Sequence, residues 1–260
     1  MSDLQARKAL AEPVMLRVRQ DAIRREHCHD RRSNAMRVVL IGATGMVGQG
    51  VLRACLEARD VTGIIVVGRR APPGYVDPRL SVYVVSELSR FEATGAMFAD
   101  IDACFFCVGV SSFGMPEPAY RAVTYDLTLH CAQQLLARSP GMKMVYVSGA
   151  GADSSEQGKT MWARVRGETE NALQRLPFGG VAIFRPSAIV PEGGIQSRTV
   201  IYRWIYVVFR PLLVLLRRIS PASILTTGLI GDAMLNVVRI GVTKPVLESA
   251  DIYRLAVAHA

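Results

Sequence analysis

Acidic side chains are scarce in this chain, and the scarcity is uneven. Asp and Glu number 22 against 31 Lys and Arg, a formal charge of +9. Between Glu192 and Asp232 there is none, while five arginines fall in the same stretch. Such an excess draws phosphate-bearing partners: nucleic acid, anionic lipid or a phosphorylated cofactor. The charge alone does not choose among them. Cysteines are few and irregular, at Cys28, Cys55, Cys104, Cys107 and Cys131. An odd number without regular spacing argues against a secreted disulfide framework. The N-terminus shows no apolar core of a signal peptide, so the expectation is a reducing, cytoplasmic setting, with peripheral attachment to a membrane left open. Helix-turn-helix and zinc patterns are missing, as are aromatics interleaved with a basic groove, so no nucleic-acid partner is expected. No metal is expected either. His27, Cys28 and His29 are adjacent and have no distant fourth ligand to close a site.

What is present is apolar and periodic. Half of the residues are hydrophobic, enough for a sizeable core. Residues 1–35 stand apart: they carry eight Lys/Arg, five Asp/Glu and no glycine. Leu16 to Glu26 suits a frayed helix, and Met36 opens the first strand directly and is a plausible translation start. The segment reads as a charged tail outside the fold. From Met36 onward, β-branched runs alternate with amphipathic stretches. Val38–Ile41, Ile64–Val67, Val82–Val85, Ala103–Val108, Met144–Val147 and Val181–Phe184 read as strands, nearly continuous in apolar character as buried parallel strands are. Met46–Ala58, Tyr120–Arg138 and Thr160–Arg175 read as helices. The pattern predicts an α/β fold, a doubly wound parallel sheet of about seven strands over residues 36–260.

The first strand runs into Gly42-Ala43-Thr44-Gly45-Met46-Val47-Gly48 and then a helix. Gly42 allows a sharp turn, Gly45 removes a side chain that would collide with a pyrophosphate, and Gly48 allows the helix to pack closely on the sheet. The N–H groups of the turn and first helical residues, Thr44, Met46 and Val47 among them, then face the phosphates, helped by the helix dipole. Glycine spacing alone is weak evidence, but the strand before it and the helix after it supply the context. At the tip of the second strand, where an acid would bond the ribose 2′-hydroxyl of NAD, the chain has Arg69 and Arg70. Guanidiniums suit a 2′-phosphate, so NADP is expected over NAD.

At this point the chain resembles the short-chain dehydrogenase/reductase superfamily. More narrowly it is similar to its atypical single-domain members, the Tat-interacting tumour-suppressor subgroup and the bacterial NAD(P)-binding epimerase/dehydratase-like proteins. The resemblance runs from about Met36 to the C-terminus. It rests on GATGMVG, DACFFCVG at 102–109, KMVYVSGAGAD at 143–153, WARVRGETE at 162–170 and FRPSAIVP at 184–191. It implies that Cys107, Val108 and Gly109 pass the adenosine and ribose, that Ser148 is the catalytic serine, and that Arg185, Pro186 and Ser187 lie beside the nicotinamide. It also exposes a departure: Trp162 falls where the catalytic tyrosine belongs and Arg166 where the lysine belongs. An indole has no ionisable proton near neutral pH, and a guanidinium does not give one up. Arg166 can still bind ribose hydroxyls. Ser148, Tyr125 and Tyr146 are the nearest substitutes by position, Tyr146 on the same strand face as Ser148. Cys104 and Cys107 form C-x-x-C, but on a strand they face opposite ways and read as buried hydrophobes.

The C-terminal third adds an apolar, basic insertion at 192–226. Within 199–218 no uncharged run exceeds six residues, far short of the 18 or so a spanning helix needs. Arg203, Arg210 and Arg217 recur every seven residues, on one helical face, and Pro211 would kink or divide such a helix. Two readings are open: a membrane-surface element, or a substrate-covering segment lining a pocket or a homodimer interface. Both suit an apolar small-molecule ligand such as a lipid or quinone. The expected function is an NADP-dependent oxidoreductase acting on such a molecule. The alternative is a non-catalytic NADPH-binding regulator or assembly factor, and the Trp162/Arg166 pair leans toward it.

Overall fold

The computed structural model describes residues 35–192 and 222–258. The expectations for residues 1–34, including the His27-Cys28-His29 cluster, and for 199–218 lie outside the described residues.

Seven parallel strands form one sheet: β1 (Met36–Ile41), β2 (Val61–Gly68), β3 (Leu80–Val84), β4 (Ala103–Phe106), β5 (Lys143–Val147), β6 (Gly180–Arg185) and β9 (Val246–Glu248). Their order is β3-β2-β1-β4-β5-β6-β9. β1 is central, with Val38 beside Ile64 of β2 on one side and Ala103 of β4 on the other. The chain order therefore reverses between β1 and β4, which opens a crevice at the carboxyl ends of these strands. Alternation sends Val38 and Leu40 into one apolar cluster and Val39 and Ile41 into another. Both faces of β1 are buried from Val38 to Ile41, which is why that run shows no polar positions after Arg37.

Helices cover both faces. α1 (Met46–Glu57), α5 (Thr227–Ile240) and α6 (Ser249–Val257) bury Val51, Leu52, Ile230, Met234 and Ile252 against one. On the other, α3 (Leu127–Leu136) and α4 (Met161–Arg175) bury Cys131, Leu135 and Leu173. Phe91 and Phe98 fill the remaining span of that face and meet Tyr83 edge-on.

Three features differ from the sequence expectation. The helix expected over Tyr120–Arg138 is interrupted: α2 (Glu117–Arg121) passes through a wide π turn, Ala122–Asp126, before α3 begins. Paired charges hold α2 onto α4 across this turn, Glu117 to Arg164 at 2.7 Å and Arg121 to Glu168. The crossover from β2 to β3 has no helix. Arg79 organises it instead, donating to the carbonyls of Ala58 and Val61 at 2.9 Å and pairing with Asp77. Finally, β7 (Ala188–Val190), just before the expected insertion, pairs in parallel with β8 (Ile224–Thr226), at its end, as a separate two-stranded sheet.

Candidate functional site

The turn after β1 is shaped by two close approaches of backbone to backbone. Gly42 has φ +93°, and a Cβ there would lie 2.8 Å from the Cys107 carbonyl carbon. Only glycine combines that conformation with that approach. A Cβ on Gly48 would lie 2.1 Å from the Gly42 carbonyl oxygen. Gly48 was expected to seat the helix on the sheet; its tight contact is with the turn itself. Gly45 differs from both. A Cβ there would have the Gly42 oxygen as its nearest neighbour, at 3.3 Å, and the Cys107 oxygen at 3.9 Å. Its amide donates to that same oxygen at 2.9 Å and closes the turn.

Gly45 is also the N-cap of α1, with no side-chain cap and no acid in the first turn. The first helical backbone bond outside the helix proper is Gln49 to Gly45, so the amides of Met46, Val47 and Gly48 are left for another acceptor. These conditions favour an anion. Beside them lies a cleft of about 220 Å³. Gly42, Thr44 and Gly45 form one wall, Cys107, Val108 and Gly109 another, and Arg69 and Arg70 stand at the tip of β2. Leu88, which sequence reasoning missed, and Val66 add apolar surface. Both arginines are exposed, and neither has an ion-pair partner among the described residues. An anionic dinucleotide fits this set: bare amides for the pyrophosphate, an apolar slot for a base, two guanidiniums for a further phosphate.

The other half of the site is built differently. Ser148, at the end of β5, is 6% exposed, and its hydroxyl donates to Glu170 at 2.5 Å. Glu170 is wholly buried on α4. Its carboxylate is clasped by Arg185, whose Nε lies 3.1 Å from both oxygens and whose second nitrogen also pairs with it. Arg185 reaches Ser154 at 2.6 Å and Glu248 at 3.5 Å as well, and the Glu170 carboxylate raises its pKa further above the ordinary guanidinium value. Arg185 was expected beside the nicotinamide; its side chain is committed to this network and does not line the cleft. Ser187 is tied to α6 through Ser249, and the Pro186 carbonyl accepts from Ala150.

Trp162 is half-buried and packs against Gly151 of the loop after β5. Arg166, one turn along, donates from Nε to the Tyr120 hydroxyl at 3.0 Å. The suggested substitutes are poorly placed for proton transfer. Tyr146 is 1% exposed, and burial pushes its pKa up to about 12. Tyr125 sits under the Arg121 guanidinium, 4.2 Å from ring centre to carbon. Cys104 and Cys107 pack into opposite apolar clusters, and burial raises both thiols well above their ordinary range. Among the described residues no cluster of His, Cys, Asp or Glu could hold a metal ion, and no helix is long and apolar enough to cross a membrane.

Sequence reasoning missed Glu170 and Tyr120. The first had a signal: Trp162, Arg166 and Glu170 recur every four residues, so an acid shares the buried helical face with the substituted pair. Tyr120 had none, because only the fold brings α2 to α4.

No family model matches the chain. It is 30% identical over 162 residues to the mitochondrial protein fmp52 of Aspergillus clavatus, covering 58% of this chain and 66% of the relative. Against the fmp52 protein of Emericella nidulans the identity is again 30%, covering 60% and 67%. It is 25% identical to the HTATIP2 protein of Rattus norvegicus, covering 59% and 62%. The matched region thus spans about two thirds of these relatives' length. Among solved structures, the Bordetella bronchiseptica enzyme WbmF in complex with NAD+ superposes with a TM-score of 0.59 at 13% identity, covering 85% of this chain and 77% of that one. The reductase domain of PhqB from Penicillium fellutanum gives 0.57 at 15%, covering 85% and 70%. The fmp52 proteins are named mitochondrial, and this overturns the cytoplasmic expectation, which rested only on cysteine usage and the first residues.

Proposed function

We propose, from the premise that this chain belongs to the atypical short-chain dehydrogenase/reductases, in the subgroup of the fmp52 and HTATIP2 proteins, that it binds NADP(H) in the cleft at the ends of β1, β2 and β4 and lacks the family's tyrosine–lysine proton transfer. Binding is supported by the unpartnered amides of α1 and by the turn around Gly42 and Gly45. The preference for NADP is supported by Arg69 and Arg70, which line the cleft and have no acid partner among the described residues. A 2′-phosphate would accept bidentate, charge-assisted bonds from them.

One observation carries the non-catalytic reading. The Ser148 hydroxyl, which the family uses at the reacting carbonyl, is spent on buried Glu170, while the Trp162 indole and the Arg166 guanidinium donate hydrogen bonds without releasing a proton near neutral pH. Bound nicotinamide supplies hydride chemistry; this chain's own residues hold the nucleotide and exclude water without moving a proton. A regulator or assembly factor fits that description. The oxidoreductase reading has Arg166 in its favour, a fixed cation able to stabilise negative charge on the oxygen of an apolar carbonyl compound, with water as proton source.

Isothermal titration with NADPH and NADH tests the binding claim. NADPH should bind at least about tenfold more tightly. Equal affinities would remove the NADP preference, and no binding of either would remove the nucleotide. A screen of NADPH oxidation against apolar aldehydes, ketones and quinones divides the two readings. Turnover that survives Ser148→Ala but not Arg166→Met would favour the oxidoreductase.

A further inference from the structure

Arg166 is half-buried on α4, yet it has no acid partner among the described residues. Its charged neighbours on the same helix are paired: Arg164 with Glu117, and Glu168 with Arg121. A cation partly withdrawn from water without a counter-charge is costly unless its donors are otherwise used. One donor is used within the protein, Nε to the Tyr120 hydroxyl at 3.0 Å. The terminal nitrogens have no hydrogen-bond partner among the described residues. Among the described residues no buried side-chain nitrogen lacks one, so these two open outward. Nη1 lies 3.7 Å from where a Cβ on Gly149 would sit, over the second residue after β5. That is the same carboxyl edge of the sheet on which the cleft lies, two strands along from β1.

Tyr120 is 1% exposed, and its helix is clamped to α4 by the two ion pairs that flank it. The wide turn begins two residues later, at Ala122. Its hydroxyl therefore has a fixed place, and it fixes the guanidinium plane by gripping one edge. A planar fork held in this way presents its outer N–H groups in parallel, a geometry matched by two neighbouring oxygens.

We propose that Tyr120 is a positioning residue that orients Arg166 to grip the vicinal hydroxyls of the ribose in the nicotinamide half of the nucleotide. This rests on the nucleotide reading above. A lysine needs no such holder for its compact ammonium, whereas a guanidinium delivers paired bonds only when its plane is set. Tyr120 is then the companion that an arginine at position 166 requires.

The test compares NADPH with adenosine 2′,5′-bisphosphate, which has the adenine half and no nicotinamide ribose. Titrate both into the wild-type chain, Tyr120→Phe and Arg166→Met, and record the melting temperature of each. Tyr120→Phe is expected to weaken NADPH about tenfold and to leave the bisphosphate within about twofold, with Arg166→Met at least as strong in the same pattern. An unchanged NADPH affinity in Tyr120→Phe overturns the proposal while leaving the nucleotide reading intact. Equal weakening of both ligands also overturns it, because the tyrosine would then act through the fold as a whole. If the wild-type chain binds neither ligand, the nucleotide reading falls and the proposal with it.

Discussion

At the ends of β1, β2 and β4 the chain presents backbone and little else: a glycine turn, and amides and two exposed arginines that find no partner among the described residues. At the ends of β5 and β6 the side chains are abundant and already engaged with one another. Ser148, Glu170, Arg185 and Ser154 form one closed set, and Arg166 is held by Tyr120. The two halves share a sheet edge and differ in what they leave available. The first is shaped to receive an anion. In the second, groups that a reaction would draw on are used to hold the protein together. One sheet edge can thus combine an open turn with a neighbouring cluster whose polar groups are tied up in structure.

The sharpest way to break this contrast is to attack the closed set. Glu170→Ala should remove about 3–5 kcal/mol of stability, because it leaves the mostly buried Arg185 with only the longer contact to half-exposed Glu248 and strands the Ser148 hydroxyl. Urea denaturation reads it directly, and a loss below about 1 kcal/mol would mean the network is not structural.

Alkaline titration comes next. Burial raises Tyr146 from 10.0 to about 12, so its neutral form is favoured in the folded state. The associated stability is complete below pH 10 and is lost as pH rises toward 12, on the order of 3 kcal/mol at most. Cys55 and Cys131, raised from 9.0 to about 12 by burial, begin the decline a unit earlier. Tyr146→Phe should flatten the upper part of the curve; an unchanged slope would place that hydroxyl in water.

On the open half, Arg69→Ser with Arg70→Ser should cost NADPH about 2 kcal/mol, roughly thirtyfold, and leave NADH alone. Equal losses for both nucleotides would show that the arginines act as general charge. The smallest effect is expected at Arg121 and Glu168, whose side chains are 37% and 28% exposed. A double-mutant cycle there should yield no more than about 1 kcal/mol, in contrast with the buried pair between Glu170 and Arg185.

The open half was also the half legible in the sequence. Its features are local: a strand, three glycines at fixed spacing and two arginines about 20 residues on. Parallel strands buried on both faces announce themselves as apolar runs, and the sheet order follows from alternation with helices. The closed half depends on pairs far apart in the chain. Ser148 and Glu170 are 22 residues apart, Tyr120 and Arg166 are 46 apart, and no short window contains both members. Motif matching therefore assigned Ser148 and Arg185 by position along the chain and missed the carboxylate that connects them. The π turn escaped for a related reason. Its residues Ala122–Asp126 read as ordinary helix, and the ion pairs that brace α2 against α4 come from elsewhere in the fold.

The pairing of Ala188–Val190 with Ile224–Thr226 has a consequence for how such proteins diversify. It brings two points distant along the chain side by side, apart from the main sheet, and so makes a neck. Closing a longer or shorter excursion at that neck changes the entropy only slowly with length. Lineages can therefore exchange whatever lies beyond it, as one swaps the head of a tool, while the seven-stranded handle keeps its shape.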